Sequence, residues 1–319
     1  MEQKMASGIL GFAIGDALGV PIEFLNREIL EKHPLSEMIG YGSHSVPEGT
    51  WSDDTSLMLA TIDSIVECGY INYSDMMSKF TQWYDYAKYT ATDVMFDIGI
   101  STRKAIIKYK NNISAIECGG RDIMDNGNGS LMRILPIVYY LAMNNFSDEE
   151  EVEIIKNCSS LTHGHEISCL GCKIFSDYTK LLLNNYDKLD ALNQIKMYNY
   201  SKYYSLEAIQ KYNRILIDDL SSVKKDKIKS SGFIVDTLEA SIWCTLNSNS
   251  YEEAIVKAIN LGEDTDTIGA IAGALNGIIY GEEQIPIRWT QKLRKKDYLL
   301  NLYSKFYEVL NSNKKFRRI

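Results

Sequence analysis

Residues 264–281 of the chain are DTDTIGAIAGALNGIIYG, and this stretch decides how the chain folds. Glycines recur in it at positions 269, 273, 277 and 281, which is the i, i+4 spacing of one helix face. A glycine in a helix interior costs about 1 kcal/mol relative to alanine, so a repeated glycine face indicates that a neighbouring element lies against the backbone. The pattern predicts a central helix packed closely on its neighbours.

The same spacing occurs near the N-terminus, where residues 6–20 carry glycines at 11, 15 and 19. In a membrane protein this spacing would indicate helix dimerisation, but here we interpret it as a second central helix in close contact with other elements.

The rest of the chain also favours helices. Proline is scarce, with 5 among 319 residues, and a proline inside a helix costs about 3 kcal/mol. Clear strand alternation is absent, and residues 185–230 show no convincing domain boundary. We therefore expect an all-α fold and a single domain spanning residues 1–319.

Composition excludes several classes of protein. With 45% hydrophobic and 24% charged residues the chain has an ordinary globular composition, and a formal charge of -8 argues against a nucleic acid as its main partner. Residues 5–15 are apolar enough to imitate a signal-peptide core, but Glu2 and Asp16 weaken that interpretation. Residues 268–281 are too short to span a membrane and contain Asn276. We expect a cytoplasmic protein without a membrane partner.

Six cysteines are too few and too scattered for a disulfide scaffold. Cys169 and Cys172 form a CxxC, but no second CxxC or nearby histidine pair completes a zinc site. We predict that both are buried small side chains.

Two acidic clusters each precede an apolar helical pattern. They are Ser52-Asp53-Asp54-Thr55 and Asp264-Thr265-Asp266-Thr267. Aspartates at a helix start often cap it, and for one cluster alone capping would be the preferred explanation. Two such clusters, each with hydroxyl oxygens, instead favour a hard divalent cation that neutralises the crowded carboxylates. Because neither cluster contains Cys or His, Mg²⁺ or Mn²⁺ is favoured over zinc.

Several ordered motifs resemble those of the ADP-ribosylglycohydrolase family. The three main ones are Gly15-Asp16-Ala17-Leu18-Gly19 with Pro21 and Glu23, Trp51-Ser52-Asp53-Asp54-Thr55, and residues 260–269. Between them lie Phe96-Asp97-Ile98-Gly99, residues 126–133, Leu161-Thr162-His163 and residues 232–238, which match in the same order. The resemblance covers about residues 6–281 and leaves a C-terminal helical extension outside it.

The resemblance implies an all-helical, orthogonally packed domain with a binuclear Mg²⁺ or Mn²⁺ site at the base of a cleft. It implies cleavage at the anomeric carbon of a ribose whose hydroxyls lie at the metals. The residues that match the metal ligands are Ser52, Asp53, Asp54, Asp264, Asp266 and Thr267. Ser52 stands where many members have Thr, which keeps the hydroxyl oxygen.

Asp97 and Glu23 match the catalytic positions. Phe96-Asp97-Ile98-Gly99 resembles the branch that releases ADP-ribose from arginine, in which the matching aspartate lies beside the scissile bond. Taken alone, Asp97 would be interpreted as a solvated residue or a cap, and Glu23 as a surface ion-pair partner. The family pattern favours a proton-transfer role for Glu23.

The resemblance also implies a set of residues that contact the substrate. They are Asn128, Gly129, Ser130, His163, Gly232 and Phe233. The glycine-rich turn would present amides to a diphosphate, and the aromatic ring would stack on adenine. A structural histidine and a core phenylalanine are the alternatives, and Arg133 is expected to contact either a phosphate or a buried carboxylate.

The leading hypothesis is thus a metal-dependent hydrolase that removes ADP-ribose from arginine in a mono-ADP-ribosylated protein, with ADP-ribose as product ligand. Serine-linked or small-molecule ADP-ribose derivatives are alternative substrates. A crystallin-like structural relative and an ADP-ribose-binding immunity protein are alternatives without turnover.

Overall fold

The computed structural model describes the backbone of residues 1–316 and the side chains of residues 1–312. In chain order the helices are α1 (Glu2–Gly19), α2 (Arg27–Lys32), α3 (Asp53–Cys68), α4 (Tyr73–Tyr86), α5 (Ile100–Lys110), α6 (Leu135–Met143), α7 (Asp148–Ser160), α8 (Glu166–Leu183), α9 (Lys188–Lys196), α10 (Leu206–Lys211), α11 (Asn213–Leu216), α12 (Ile234–Leu246), α13 (Tyr251–Ile259), α14 (Thr265–Tyr280), α15 (Ile287–Thr290) and α16 (Lys296–Phe316). Strand pairing in the described residues is limited to three isolated bridges. The all-α prediction is confirmed.

Helices α1 and α14 form the centre of the fold. Gly15 and Gly269 face each other so closely that a Cβ on Gly269 would lie 2.5 Å from the carbonyl oxygen of Gly15. One turn away, Gly11 meets Gly273 in the same way. The two glycine faces expected from the sequence are therefore one shared interface, in which backbone touches backbone without intervening side chains.

Other helices surround this pair. Helices α12 and α13 pack on α14, while α3 packs on α4 and α16. The C-terminal helix α16 also contacts α1, where the Tyr303 hydroxyl donates to the Glu2 carbonyl oxygen at 2.8 Å. The segment beyond the family motifs thus covers the core next to α3.

Residues Glu2–Ile22 are long and apolar enough to cross a membrane by length and composition alone. In the fold, 94% of the apolar 18-residue stretch of this segment is buried inside the protein, so its apolar side chains pack on the core. All six cysteines are free thiols, and Cys169 and Cys172 are buried on α8 as predicted.

We expect Gly15→Ala and Gly269→Ala to destabilise the protein. In a solvated helix either change would be favourable by about 1 kcal/mol, because alanine has the higher helix propensity. Here the added methyl group would overlap the facing backbone, and overpacking of this kind costs about 1–3 kcal/mol or more. Thermal unfolding followed by circular dichroism should show Tm lowered by about 2–5 °C.

Gly99→Ala is the matched control. Gly99 is the N-cap residue of α5 and has φ -61°, and the nearest atom to an added Cβ is Thr102 Oγ1 at 3.9 Å. Its Tm should stay near that of the wild type. A Tm raised in the Gly15 or Gly269 variant would show that the two backbones are not in contact.

Candidate active site

The two acidic clusters meet where α3 and α14 begin. Ser52 caps α3, since its Oγ accepts a hydrogen bond from the Asp54 amide at 3.2 Å. Asp264 precedes α14 and makes no side-chain capping bond within the described residues. Thr267 Oγ1 lies 3.5 Å from Asp54 Oδ1 and joins the clusters. The cap of α3 is thus a hydroxyl, and Asp264 does not cap α14, so neither role uses a carboxylate that could bind a cation.

Asp16 on α1 fixes the start of α3 and was not anticipated as a site residue. Its carboxylate, which is fully buried, accepts hydrogen bonds from the amides of Ser52 at 2.9 Å and Thr55 at 3.0 Å, and from Thr55 Oγ1 at 2.5 Å. Burial nevertheless raises the pKa of Asp16 to about 6. A single aspartate inside an apolar helical run is the signal that could have identified it, since such a carboxylate requires partners.

The carboxylates of the cluster repel one another in a buried site. Burial, followed by the charges of neighbouring carboxylates, raises the pKa values of Asp53, Asp54 and Asp266 well above the ordinary range. Asp54 Oδ2 is buried and has no hydrogen-bond partner among the described residues. An ionised oxygen in that position requires a positive charge nearby.

The donor set fits a divalent cation. One carboxylate oxygen each from Glu23, Asp264 and Asp266 lie within 4.8 Å of one another. Such a group of oxygen ligands suits Mg²⁺ or Mn²⁺ better than zinc.

Glu23 also belongs to a second group, with His44 and Asp97. Potential ligand atoms of these three residues lie within 4.8 Å of one another, and His44 Nε2 is hydrogen-bonded to Glu23 Oε2. Burial raises the pKa of Glu23 to about 8, the hydrogen bond from His44 opposes that change, and the charges of Asp97 and Asp264 add to it. A lone histidine in a loop carries no recognisable sequence signal, so His44 could not be anticipated.

Asp97 lies in the loop before α5 and has a φ of +52°. This left-handed conformation is uncommon outside glycine, although aspartate tolerates it better than most residues do. The loop thus holds the half-buried Asp97 side chain beside Glu23 at the edge of the carboxylate cluster.

A short bridge joins residues 126–128 to the start of α12. The Asn128 amide donates to the Gly232 carbonyl oxygen at 3.0 Å, and Ile234 N donates to the Asn126 carbonyl oxygen at 3.1 Å. Asn128 Nδ2 donates to Asp264 Oδ2 at 2.7 Å, so this side chain orients a cluster carboxylate. A Cβ on Gly232 would lie 3.0 Å from the same oxygen, and the next residue, Phe233, is half-buried.

The glycine-rich turn presents its backbone rather than its serine side chain. Ser130 Oγ is buried, where it accepts from Ser159 Oγ at 3.0 Å and lies 3.4 Å from Cys172 Sγ. The amides of Gly127, Gly129 and Ser130 donate to no acceptor in the described part of the chain. An anion bound at this turn could accept from these unpaired amides.

Arg133 pairs with no carboxylate among the described residues. The guanidinium group is completely buried, lies 4.8 Å from the centre of the Phe80 ring, and donates to the Cys158 carbonyl oxygen at 3.0 Å and Thr162 Oγ1 at 2.8 Å. His163, which is buried next to Thr162, lies against the glycine-rich turn.

Comparison with known proteins agrees with this architecture. The model of the ADP-ribosylglycohydrolase family matches residues 1–315. The chain belongs to this family.

The relatives of this ADP-ribosylglycohydrolase include the ADP-ribosylarginine hydrolase Tri1 of Pseudomonas putida, 30% identical over 96% of this chain and 78% of the relative. The ADP-ribosyl-[dinitrogen reductase] glycohydrolase of Rhodospirillum rubrum is 25% identical over 93% of this chain and 92% of its own length. A solved structure described as an ADP-ribosylglycohydrolase-related protein complex superposes with a TM-score of 0.80 at 25% identity, covering 97% of this chain and 98% of its own. The protein is thus a glycosylhydrolase that acts on ADP-ribose conjugates.

We expect Asp54→Asn to leave the metal-free protein stable and to remove the stabilisation that bound metal provides. In chelator the variant should be at least as stable as the wild type, because it removes a buried carboxylate that lacks a partner. Added Mg²⁺ or Mn²⁺ should raise the Tm of the wild type. At a cation concentration a hundred times Kd, the free energy of unfolding increases by about 2.7 kcal/mol. The variant should lose most of this gain in thermal unfolding.

Asp63→Asn is the matched control on the same helix. Burial opposes ionisation of Asp63, but the Tyr89 hydroxyl and the ammonium groups of Lys88 and Lys79 hold its pKa below the usual value. Its amide variant should therefore be less stable in chelator and keep the full metal-induced gain. The cation site is excluded if both variants respond to metal as the wild type does.

We also expect the metal-free protein to lose stability as pH rises. The folded-state pKa of Glu23 is raised to about 8, whereas in the unfolded chain it is about 4.3. The stability that protonated Glu23 contributes is fully present below its pKa in the unfolded chain and is lost as pH rises through its pKa in the folded protein. Between about pH 5 and pH 8 in chelator, Glu23→Gln should thus show a flatter decline of Tm than the wild type. Equal slopes would contradict the raised pKa.

Proposed function

We propose that the protein hydrolyses the N-glycosidic bond between ADP-ribose and arginine in a mono-ADP-ribosylated protein, using two divalent cations, Mg²⁺ or Mn²⁺. The observation that carries this proposal is the position of Asp97. Its carboxylate lies beside Glu23, and Glu23 lies beside Asp264 and Asp266, so an acidic group stands at the edge of the cation cluster.

The negative charge of Asp97 favours arginine as the amino acid that carries the ADP-ribose. A guanidinium group is planar, permanently cationic and suited to bidentate hydrogen bonding with a carboxylate. Asp97 at the edge of the carboxylate cluster offers such a carboxylate, and an arginine conjugate would bring the positive charge. A serine conjugate has no charge at that position, which is why arginine is the favoured acceptor.

The residues that would hold the cations are Ser52, Asp53, Asp54, Asp264, Asp266 and Thr267. When bound, the cations would polarise ribose oxygens or the attacking water. Asn128 orients Asp264 through its 2.7 Å hydrogen bond. Glu23, buried and hydrogen-bonded to His44, would accept the proton that the water loses on attack at the anomeric carbon, and this proton would pass to the departing guanidino nitrogen as the C–N bond breaks.

The ADP portion would lie along the glycine-rich turn and the start of α12. The amides of Gly127, Gly129 and Ser130 are available to diphosphate oxygens, and no side chain at the two glycines blocks the approach. Phe233 follows Gly232 at the start of α12 and offers an aromatic ring for the adenine.

We expect arginine-ADP-ribosylated protein to be hydrolysed with Mg²⁺ or Mn²⁺ and to remain intact in excess chelator. Asp97→Asn should lower kcat by about 100-fold or more, because a neutral amide cannot pair with the guanidinium or exchange its proton. The measurement is release of ADP-ribose, with a serine-linked substrate assayed in parallel.

Asp93→Asn is the control in the same loop, since exposed Asp93 pairs only with Lys295 at 2.6 Å among the described residues. The Asp93→Asn variant should keep normal turnover. If the wild type released ADP-ribose faster from the serine-linked substrate, serine would replace arginine as the proposed acceptor. If it bound ADP-ribose but released none from either conjugate, a binding protein would be favoured over an enzyme.

A further inference from the structure

A continuous hydrogen-bonded chain runs from the core to His163. Arg133 Nη2 donates to Thr162 Oγ1 at 2.8 Å, and Thr162 Oγ1 lies 2.9 Å from His163 Nδ1. All three side chains are buried, with His163 exposed by only 3%. The direction of each hydrogen bond can therefore be worked out from the number of protons available.

The threonine hydroxyl has one proton and two lone pairs. A guanidinium group only donates, so Arg133 occupies one lone pair of Thr162 Oγ1. The hydroxyl proton then needs an acceptor, and His163 Nδ1 is the one within hydrogen-bond distance among the described residues. The opposite arrangement, with Nδ1–H as donor, would leave a buried hydroxyl proton unpaired at a cost of about 1–3 kcal/mol.

The charge of Arg133 acts in the same direction. A hydroxyl that accepts from a cation becomes a stronger donor, and an imidazolium beside a buried guanidinium is unfavourable. Burial, reinforced by Arg133, lowers the pKa of His163 to about 3. The imidazole is thus neutral at physiological pH, with Nδ1 as acceptor.

The other ring nitrogen faces the glycine-rich turn. A Cβ built on Gly127 would lie 3.3 Å from His163 Nε2, and one on Gly129 would lie 2.7 Å from Cε1. No hydrogen bond among the described residues reaches Nε2. The amides of Gly127, Gly129 and Ser130, which have no acceptor among the described residues, belong to the same turn that Nε2 faces.

We propose that Thr162, held by Arg133, fixes His163 as the Nε2–H tautomer, which donates a hydrogen bond to a diphosphate oxygen of the ADP-ribose portion. Thr162 and Arg133 are positioning residues for this contact. The ligand assignment rests on the proposed function, whereas the tautomer is a property of the free protein.

Nitrogen-15 NMR of the histidine side chains tests the tautomer without any ligand. The chain has only 4 histidines, so His163→Gln identifies the His163 signals by their loss. The wild type should show a neutral Nε2–H ring that stays neutral when the sample is acidified to about pH 5, below the ordinary histidine pKa. A protonated ring or an Nδ1–H ring at neutral pH would overturn the proposal.

Thr162→Val keeps the shape of the side chain and removes the hydroxyl. We expect it to convert His163 to a mixture of tautomers and to weaken ADP-ribose binding about tenfold in calorimetry. Thr162→Ser, which restores a hydroxyl, should restore both. An unchanged His163 spectrum in Thr162→Val would sink the proposal.

Thr179→Val is the control. Thr179 is fully buried on α8, and its hydroxyl has no hydrogen-bond partner among the described residues, so the same substitution should change neither readout. If Thr162→Val does not fold, the wild-type spectrum and Thr162→Ser still decide the tautomer. If the wild type shows the Nε2–H ring but binds no ADP-ribose, the proposed function and the ligand contact fail while the tautomer stands.

Discussion

Helices α1 and α14 touch backbone to backbone, and the position of the acidic site depends on this contact. At the C-terminal end of α1, a Cβ on Gly19 would overlap the backbone of Asp266. In the same place, Thr265 Oγ1 donates to the Gly19 carbonyl oxygen at 2.8 Å. The end of α1 is thereby held against the start of α14. Larger side chains would separate the helices and move the second acidic cluster away from the first.

Asp16 extends this constraint to α3. It lies on α1 beside Gly15, and its carboxylate receives the amides at the start of α3, where a helix N-terminus favours a negative group. The backbone contact thus locates α14 relative to α1, and Asp16 locates α3 relative to α1. Two links, neither of which uses a cluster carboxylate, bring the acidic clusters together, so Asp53, Asp54 and Asp266 remain available for cations.

The sequence predicts the features that depend on residues close together in the chain. The starts of α3 and α14 follow from polar residues before apolar periodicity, and the glycine faces follow from their spacing. The pairing of the two faces with each other did not follow, because a small-residue face does not specify its partner.

His44 shows why the rest of the site was not predictable. It reaches Glu23 only because residues 42–44 fold back onto the turn after α1, where a Cβ on Gly42 would overlap the Pro21 carbonyl oxygen. Ser130 likewise lies in a motif that suggests ligand contact, yet its hydroxyl is directed into the core by Ser159. Such orientations depend on contacts between distant segments, which spacing does not encode.

The residues around the acidic clusters fall into two chemical groups, and on the proposed function this difference would let a chain with a charge of -8 serve an anionic ligand. Glu23 and Asp97 form one group, whose carboxylates would repel a diphosphate. The unpaired amides of the glycine-rich turn and neutral His163 form the other, which would attract an anion without adding a titratable positive charge. In the proposed substrate the diphosphate and the cationic arginine lie on opposite sides of the ribose, so each would meet the group that suits its charge. The two groups would therefore orient the ligand before any contact with the reacting bond forms.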